Sequence, residues 1–333
     1  GTIPSEIWQN GILLDLYNSD VHNQSTAVPR HYANIYYNGI VGKLNIDFNA
    51  DYIWYKSREL TFNNELSEMG NDREVNTSSI NRNRMFAEKL VMTYPLWKGQ
   101  IEIGEEYTNT RTTNLFSANI LETPNADNRV DENNIAVSAE LGQQFGRFMI
   151  GAGLRYEHVK FNYYEMGLLR DGQSKTYNNI FPSLNIATQV GKVRMGLNYT
   201  GKTIRPGYGQ LDGAISYINR LTYETGNPYL KPTKLQTVEY MAQWRRFFAQ
   251  LSFTYFKDGV YHITEPYGPE GEATIIRTAN LDHRHYLQAF VGGNFQVGVW
   301  QPKVNVGMMK QWLSLPVNGE QVNMNTPIDR KST

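Results

Sequence analysis

The chain has 333 residues, no cysteine, 22 tyrosines, and 32 basic and 32 acidic side chains. The net charge of zero argues against a polyanion such as nucleic acid as a partner, and the missing cysteine excludes disulfides and thiolate metal sites. The mean hydropathy of −0.52 suits a soluble protein, but it also suits a transmembrane barrel, because half of each strand then faces a wet lumen.

Alternation of apolar and polar residues is the main pattern along the chain. From Leu44 to Trp54 every second residue is apolar, and the positions between them, up to Asp51, are Asn or Asp. A period of two predicts an extended strand with two unlike faces. Similar runs follow in chain order at 135–142, 148–155, 193–200, 249–255 and 287–297.

The predicted connections alternate between short turns and long polar segments. The short turns fall at 41–43, 96–100, 143–147, 190–192, 244–247 and 298–302. The long segments are 19–30, 59–81, 114–132, 165–175, 206–234 and 266–273. In an up-and-down meander this order places all short turns at one end and all long loops at the other, as in outer-membrane barrels.

The length of the runs also favours a membrane. Several reach ten residues or more, and a tilted strand of about 9–11 residues crosses a bilayer, whereas strands in general average about 5–6 residues. With about fourteen strands recognisable by these signals, the sequence predicts an all-β fold. We interpret it as a transmembrane antiparallel up-and-down β-barrel, or part of a larger one, without amphipathic helices. A soluble β-sheet protein that binds carbohydrate or has a structural role stays open as the alternative.

Several short motifs resemble the outer-membrane barrel of TonB-dependent receptors, especially the Bacteroidetes type. They are Gly153-Leu154-Arg155-Tyr156-Glu157, Phe181-Pro182-Ser183-Leu184, Ile204-Arg205-Pro206 and Gly226-Asn227-Pro228-Tyr229-Leu230-Lys231-Pro232. Thr233 stands where that family usually has a glutamate, so a role of that carboxylate is not expected here.

The resemblance implies an outer-membrane transporter of a Gram-negative bacterium, with a barrel of about 22 strands. Such a receptor imports a nutrient such as a siderophore, glycan, peptide or cobalamin, and the TonB complex acts on its plug. Nothing here resembles a plug, a TonB box or a signal peptide, and the terminal segment Ile328–Thr333 lacks the aromatic strand usual in such barrels. We therefore interpret residues 1–333 as a barrel portion. Its expected partners are outer-membrane lipid, a small nutrient ligand and, by implication, TonB.

The segment 206–234 carries the candidate ligand site. By the resemblance it is an external loop, and Tyr beside Arg and Asn at a barrel mouth suits stacking and hydrogen bonding to a sugar, peptide or metal chelate. Packing within the loop is the alternative role for these rings. The predicted ligand-binding residues are Tyr208, Gln210, Tyr217, Asn219, Arg220, Tyr223 and Tyr229. Residues predicted to line the lumen are Asn45, Asp47, Asp51, Glu140, Arg155, Glu157, Arg194, Asn198 and Gln250.

Catalytic chemistry has little support in the sequence. Glu105 and Glu106 are adjacent, so in a strand they point in opposite directions and form no acid pair. His283 and His285 would share a face, but two ligands do not make a structural zinc site. No Ser-His-Asp order, P-loop or dinucleotide fingerprint is present. We predict no catalytic residue, cofactor or metal, and a hydrolase embedded in the barrel is the remaining enzymatic alternative.

Overall fold

The structure, a computed structural model, describes residues 2–332 apart from 10, 27, 29, 270, 297, 318–319 and 324–326. Its described elements are strands and one four-residue helix, α1 (Tyr208–Leu211). In chain order the strands are β1 (Thr2–Gln9), β2 (Ile12–Thr26), β3 (His31–Val41), β4 (Leu44–Ser67), β5 (Arg73–Leu96), β6 (Gly99–Ala118), β7 (Ala126–Phe145), β8 (Phe148–Glu165), β9 (Leu168–Leu169), β10 (Lys175–Val190), β11 (Val193–Ile204), β12 (Ile215–Asn219), β13 (Thr222–Thr225), β14 (Thr233–Trp244), β15 (Phe247–Tyr267), β16 (Ala273–Asn294), β17 (Lys303–Val317), β18 (Glu320–Asn323) and β19 (Pro327–Ser332). No helix among these residues has the length and apolarity to cross a membrane.

The strands form a large antiparallel meander. Successive long strands pair with each other from β4 to β8, β10 follows β8, and β14 follows β11 before β15, β16 and β17. Both β2 and β3 pair with β4, β2 along residues 58–67 and β3 along residues 44–54, so they share one position in the sheet. No described pairing joins β1 to β19, and the sheet is open between them.

One face of the sheet carries an apolar belt between two aromatic rows. Cross-strand register places Leu251 beside Tyr240 and Ala289 within this belt, and the side chain of Leu251 is 46% exposed. At the end of the long loops the aromatic row is His31, Trp54, Phe86, Tyr107, Tyr156, Tyr199, Tyr255, His285 and Trp312. At the end of the short turns it is Tyr94, Phe145, Phe148, Trp244 and Phe247.

The dimensions of this belt match a bilayer. Phe247 and Tyr255 are eight residues apart, which is about 26 Å along a strand and about 20 Å along the membrane normal at the usual strand tilt of about 40°, close to the apolar band of about 25 Å in membrane barrels. A broad exposed apolar surface bounded by aromatic rings is the pattern that lipid contact requires. We call this surface the outward face, and we call the long-loop end the outer end and the short-turn end the inner end. The predicted transmembrane sheet is confirmed.

The opposite, luminal face is polar. On β3 and β4 it carries a hydrogen-bonded network, in which Asp47 accepts from Tyr36 and Asn38 at 2.9 Å each. Asp51 accepts from the Tyr32 hydroxyl at 2.7 Å. Such pairing satisfies polar groups that line the interior, while the opposite face of the same strands carries apolar side chains.

Three predicted long loops are wrong. Segment 19–30 continues β2 to Thr26, segment 59–81 is mostly strand, and segment 114–132 is strand except for 119–125. These strands extend beyond the apolar belt, where polar and charged residues such as Arg58, Asn64 and Arg82 also occupy outward positions and the alternation becomes weaker. The described part contains nineteen strands rather than about fourteen, partly because short strands such as β9, β12 and β13 occur within loops. The six short turns and the loops at 165–175, 206–234 and 266–273 are confirmed.

Candidate functional site at the outer end of the sheet

Residues 205–232 form a long connection that we call the mouth loop. It joins β11 to β14, which pair directly with each other, so the loop must leave the sheet and return to the same place. Between these points it forms α1 and the hairpin of β12 and β13. Strand β13 pairs in parallel with residues 274–277 of β16. The mouth loop therefore reaches across the luminal face instead of extending into solvent.

Arg220 anchors the tip of the mouth loop. Its Nε lies 3.0 Å from Glu65 Oε2 on β4, and its Nη1 lies 3.0 Å from Asp15 Oδ2 on β2. Its backbone N–H also donates to Glu65 Oε1 at 3.2 Å, and its guanidinium lies 4.5 Å from the ring centroid of Tyr17. The Glu65 side chain is fully buried. Because a buried carboxylate must be paired, this contact fixes the loop tip on β2 and β4.

Arg205 anchors the base of the mouth loop. Its Nη2 donates to Glu157 Oε1 at 2.6 Å and its Nη1 donates to Glu132 Oε1 at 3.1 Å. On the same face Arg155 Nη2 donates to Glu106 Oε2 at 2.7 Å. The contact between Arg205 and Glu157 joins two sequence motifs that lie 48 residues apart. The first and third motifs therefore converge on one luminal charge network.

The motif 226–232 holds the loop against the sheet. A Cβ at Gly226 would collide with the carbonyl oxygens of Asp212 and Gln210, so only glycine fits there. Asn227 N–H donates to Gln210 O at 2.6 Å, and its Nδ2 donates to the carbonyl oxygen of Thr278 at 2.9 Å. Leu230 is 3% exposed. It belongs to an apolar cluster with Val130, Phe161, Tyr163 and Leu211.

The end of the motif is tied to β15 and β16. Lys231 exchanges two hydrogen bonds with Asn280, at 2.7 Å from its N–H and 2.9 Å to its carbonyl oxygen. The buried Thr233 hydroxyl donates to Asp258 O at 3.0 Å. In this chain the position after the last proline therefore has a structural contact, with a hydroxyl where the family usually has a carboxylate.

A cavity of about 520 Å³ lies between the mouth loop and the luminal face. Its lining is polar, with three carboxylates, one imidazole, several amides and hydroxyls, and two aromatic rings. The residues that supply these groups are Glu59, Thr61, Thr77, Ser79, Asn81, Asn114, Phe116, Gln210, Asp212, Ser216, Tyr217, Glu224, Thr225, His262 and Thr278. The donors, acceptors and negative charge of this lining suit a polar or cationic small ligand.

Burial shifts the pKa values of two loop groups upward. Burial raises the pKa of Asp212, although its carboxylate accepts from Asn128 Nδ2 at 2.6 Å and from the Ala214 N–H at 3.1 Å. Burial raises the pKa of Tyr208 to about 12. The Tyr208 hydroxyl therefore stays a hydrogen-bond donor at neutral pH.

Of the seven predicted ligand residues, three are open to the cavity or to solvent and four are engaged in contacts within the protein. Gln210 and Tyr217 line the cavity, whereas Tyr229 is 58% exposed outside its lining, with its hydroxyl accepting from Gln173 at 3.1 Å. The other four are engaged within the protein. Tyr208 packs on the Leu230 cluster, Asn219 accepts from the Leu221 N–H at 3.0 Å, Arg220 is the tip anchor, and Tyr223 is 2% exposed against Tyr217 and Tyr267.

The predicted lumen residues lie on the luminal face, in different surroundings. Arg155 and Glu157 belong to the charge network at the loop base, and Arg194 and Asn198 line a second cavity of about 520 Å³ near the inner end. Asn45, Asp47, Asp51, Glu140 and Gln250 share that face by register. Sequence reasoning missed Glu59, Asp212, Glu224 and His262 in the mouth cavity, because no local pattern distinguishes them from other polar loop residues.

No metal site is formed by the part of the chain that is described. No group of three or more potential ligands converges there. The rings of His283 and His285 are stacked with centroids 6.4 Å apart, and His283 Nδ1 lies 2.9 Å from Asp282 Oδ2. His285 lies beside Trp312 and Tyr255 in the outer aromatic row, and His283 follows two residues further out on the same face.

The outward belt, the polar lumen and the sorted loops define the class of protein as an outer-membrane β-barrel. The chain belongs to the outer membrane protein beta-barrel family, whose model matches residues 41–327. Its location is therefore the outer membrane, and the soluble β-sheet alternative is wrong. No curated protein sequence matches this chain significantly.

Solved structures with a similar fold are receptors and transporters. The copper transporter OprC is 10% identical, with a TM-score of 0.53 over 93% of this chain and 56% of that one. The siderophore receptor PiuA from Acinetobacter baumannii is 11% identical, with a TM-score of 0.52 over 93% and 50%. The Serratia marcescens hemophore receptor HasR, solved as a double mutant with its hemophore HasA and heme, is 10% identical, with a TM-score of 0.50 over 90% and 55%. The chain spans about half the length of each.

Proposed function

We propose that this chain is the barrel portion of a TonB-dependent receptor of the Bacteroidetes type, which imports a small nutrient through the outer membrane. Membership of the outer-membrane family, the receptor and transporter neighbours and the four motifs support this proposal. The observation that carries it is the polar cavity of about 520 Å³ beneath a mouth loop held by polar contacts. Such a loop can enclose a ligand, and its opening would require the loss of polar contacts and of the short pairing between β13 and β16 but not of the long strand pairings.

The proposed ligand contacts are Gln210, Tyr217 and Tyr229. The first two line the cavity, and Tyr229 offers an exposed ring on the same mouth loop. Cavities of about 300–1,000 Å³ hold small molecules, and the ligand would belong to the siderophore, glycan, peptide or cobalamin class. Import past the mouth would draw its energy from the TonB complex acting through a plug, as the family resemblance implies.

A transport role is favoured over a hydrolase in the barrel. Ser79, Ser216 and His262 line the same cavity, but in the described part of the chain no hydrogen bond joins either serine to the imidazole. A nucleophile must lie within hydrogen-bond reach of its base. We therefore assign these groups to ligand binding rather than to catalysis.

The proposal is tested by measuring binding to the purified protein in detergent. One ferric siderophore, one oligosaccharide, one peptide and one cobalamin are titrated, and one class should bind with saturation. Tyr217→Ala should weaken that binding by about tenfold, because a buried ring contact is worth about 1–2 kcal/mol. Tyr36→Ala is the matched control, since it makes the same truncation at a luminal tyrosine on β3, away from the cavity. No saturable binding, or equal losses in both variants, would contradict the proposed site.

A further inference from the structure

Five cationic side chains cluster on the outward face just beyond the outer aromatic row. They lie on three adjacent strands, and cross-strand register places them on the same face as Trp54, Phe86 and Tyr107. We call them the basic patch, and its members are Lys56, Arg58, Arg82, Arg84 and Arg111. Two residues along a strand span about 7 Å. The patch therefore lies within about one to two such steps of the aromatic row.

The arrangement within the patch is repulsive. Lys56 lies directly opposite Arg82, and Arg84 lies directly opposite Arg111. Like charges at directly opposite positions destabilise a sheet. Arg111 is neutralised by Asp131 at 2.6 Å, but no described ion pair reaches the other four. The side chains of Arg58, Arg82 and Arg84 are exposed. The patch therefore presents positive charge that an external anion would neutralise.

The same pattern recurs on the far side of the sheet. Lys234 lies directly opposite Lys257, and Lys257 lies directly opposite His283, on the face that carries Tyr255 and His285. These residues again follow the outer aromatic row. On both groups of strands the cationic side chains therefore lie at a similar distance beyond the apolar belt, so the arrangement is not limited to one hairpin.

We propose that the basic patch binds the phosphate groups of phosphorylated lipid in the outer leaflet. Tyr and Trp rings mark the headgroup level of a membrane, so side chains one step beyond them meet headgroup phosphates. Arg guanidinium groups bind phosphate through paired N–H donors. Bound phosphate would turn the cross-strand repulsion at Lys56 and Arg82 into attraction. Lipid would thereby tether the outer halves of β4, β5 and β6.

The test uses the full chain in a non-ionic detergent and native mass spectrometry with a diphosphoryl glycolipid. The control lipid is the same glycolipid without phosphate, and it should bind at least about tenfold more weakly. The double substitution R82Q/R84Q should weaken binding of the diphosphoryl lipid by about thirtyfold, since each cation near an anionic membrane surface is worth about fivefold. R245Q/R246Q removes two cations at an inner turn and should change the affinity less than about twofold.

Three outcomes would overturn the proposal. These are equal affinity for the two lipids, equal effects of the two double variants, and displacement of the lipid by equimolar inorganic phosphate. Without lipid, R82Q/R84Q should unfold at the same temperature as the parent or higher, because it removes the repulsion opposite Lys56 and Arg111. If this variant fails to fold, Lys56→Gln replaces it, with an expected loss of about fivefold.

Discussion

The inner and outer parts of the sheet are stabilised by different surroundings. Within the apolar belt the outward side chains are apolar and exposed, and Leu251 is 46% exposed there. Beyond the belt the outward face is polar, as the pair of Arg111 and Asp131 shows. Apolar burial moves to the luminal side in this region, where Leu230 and Tyr223 of the mouth loop occupy two buried clusters.

This difference shows that the mouth loop is a structural part of the outer sheet. It supplies the apolar core that lipid cannot supply above the belt, and its two arginines pair with carboxylates on β2, β4, β7 and β8. Loops usually carry function on a scaffold that is stable without them. Here the loop that borders the cavity also stabilises the strands around it, so we expect the proposed ligand binding to be coupled to the order of the outer sheet.

Removing the tip anchor should have the largest effect on this region. Arg220→Ala leaves the buried Glu65 unpaired, and breaking a buried ion pair costs about 3–5 kcal/mol. Urea unfolding in lipid vesicles should show this loss, and limited proteolysis should cut the mouth loop faster. The control is Arg277→Ala, because Arg277 pairs with Glu265 at 2.6 Å while both side chains are exposed. That change should cost less than about 1 kcal/mol. Equal losses in the two variants would contradict the assigned anchor.

The same truncation on the two sides of the aromatic row should give unequal losses. Leu230→Ala opens a cavity in the loop cluster and should cost about 2–3 kcal/mol. Leu251→Ala, in the middle of the belt, should cost less than about 1 kcal/mol, since lipid chains fill the vacated space and no cavity remains. Urea unfolding of both variants in the same vesicles measures the difference. A larger loss at Leu251 would show that the belt packs against protein.

How well the strands can be predicted from the sequence also changes at the outer aromatic row. Between Leu44 and Trp54 one face of the strand is apolar and the other is polar, so the alternating sequence predicts the strand. Between Glu59 and Ser67 a weaker alternation continues along β4, with Leu60, Phe62 and Leu66 on the outward face but a polar residue at Asn64. Propensity alone does not distinguish such a segment from a loop. The belt was therefore predictable, whereas the outer strand extensions were not.

The site was predictable in its location but not in its assignments. The motifs around Arg205 and Asn227 identified the mouth loop as important, and both residues make its anchoring contacts. Tyr223 and Arg220 look like ligand groups in the sequence, but their contacts are with Tyr267 and Glu65. Partners 155 residues away in the chain decide what Arg220 does, and no local pattern encodes that distance.

The smallest expected effect is a pH dependence of the mouth loop through Asp212. Burial raises the pKa of its carboxyl above the ordinary 3.8 in the folded loop. The folded state therefore binds the proton more tightly than the unfolded state. Loop stability from this group is greatest below the ordinary pKa and decreases as pH rises to the raised pKa. Hydrogen exchange at the Ala214 amide, which donates to this carboxylate, should report the decrease. Asp212→Asn should abolish the dependence, and an unchanged pH profile in that variant would assign it to another group.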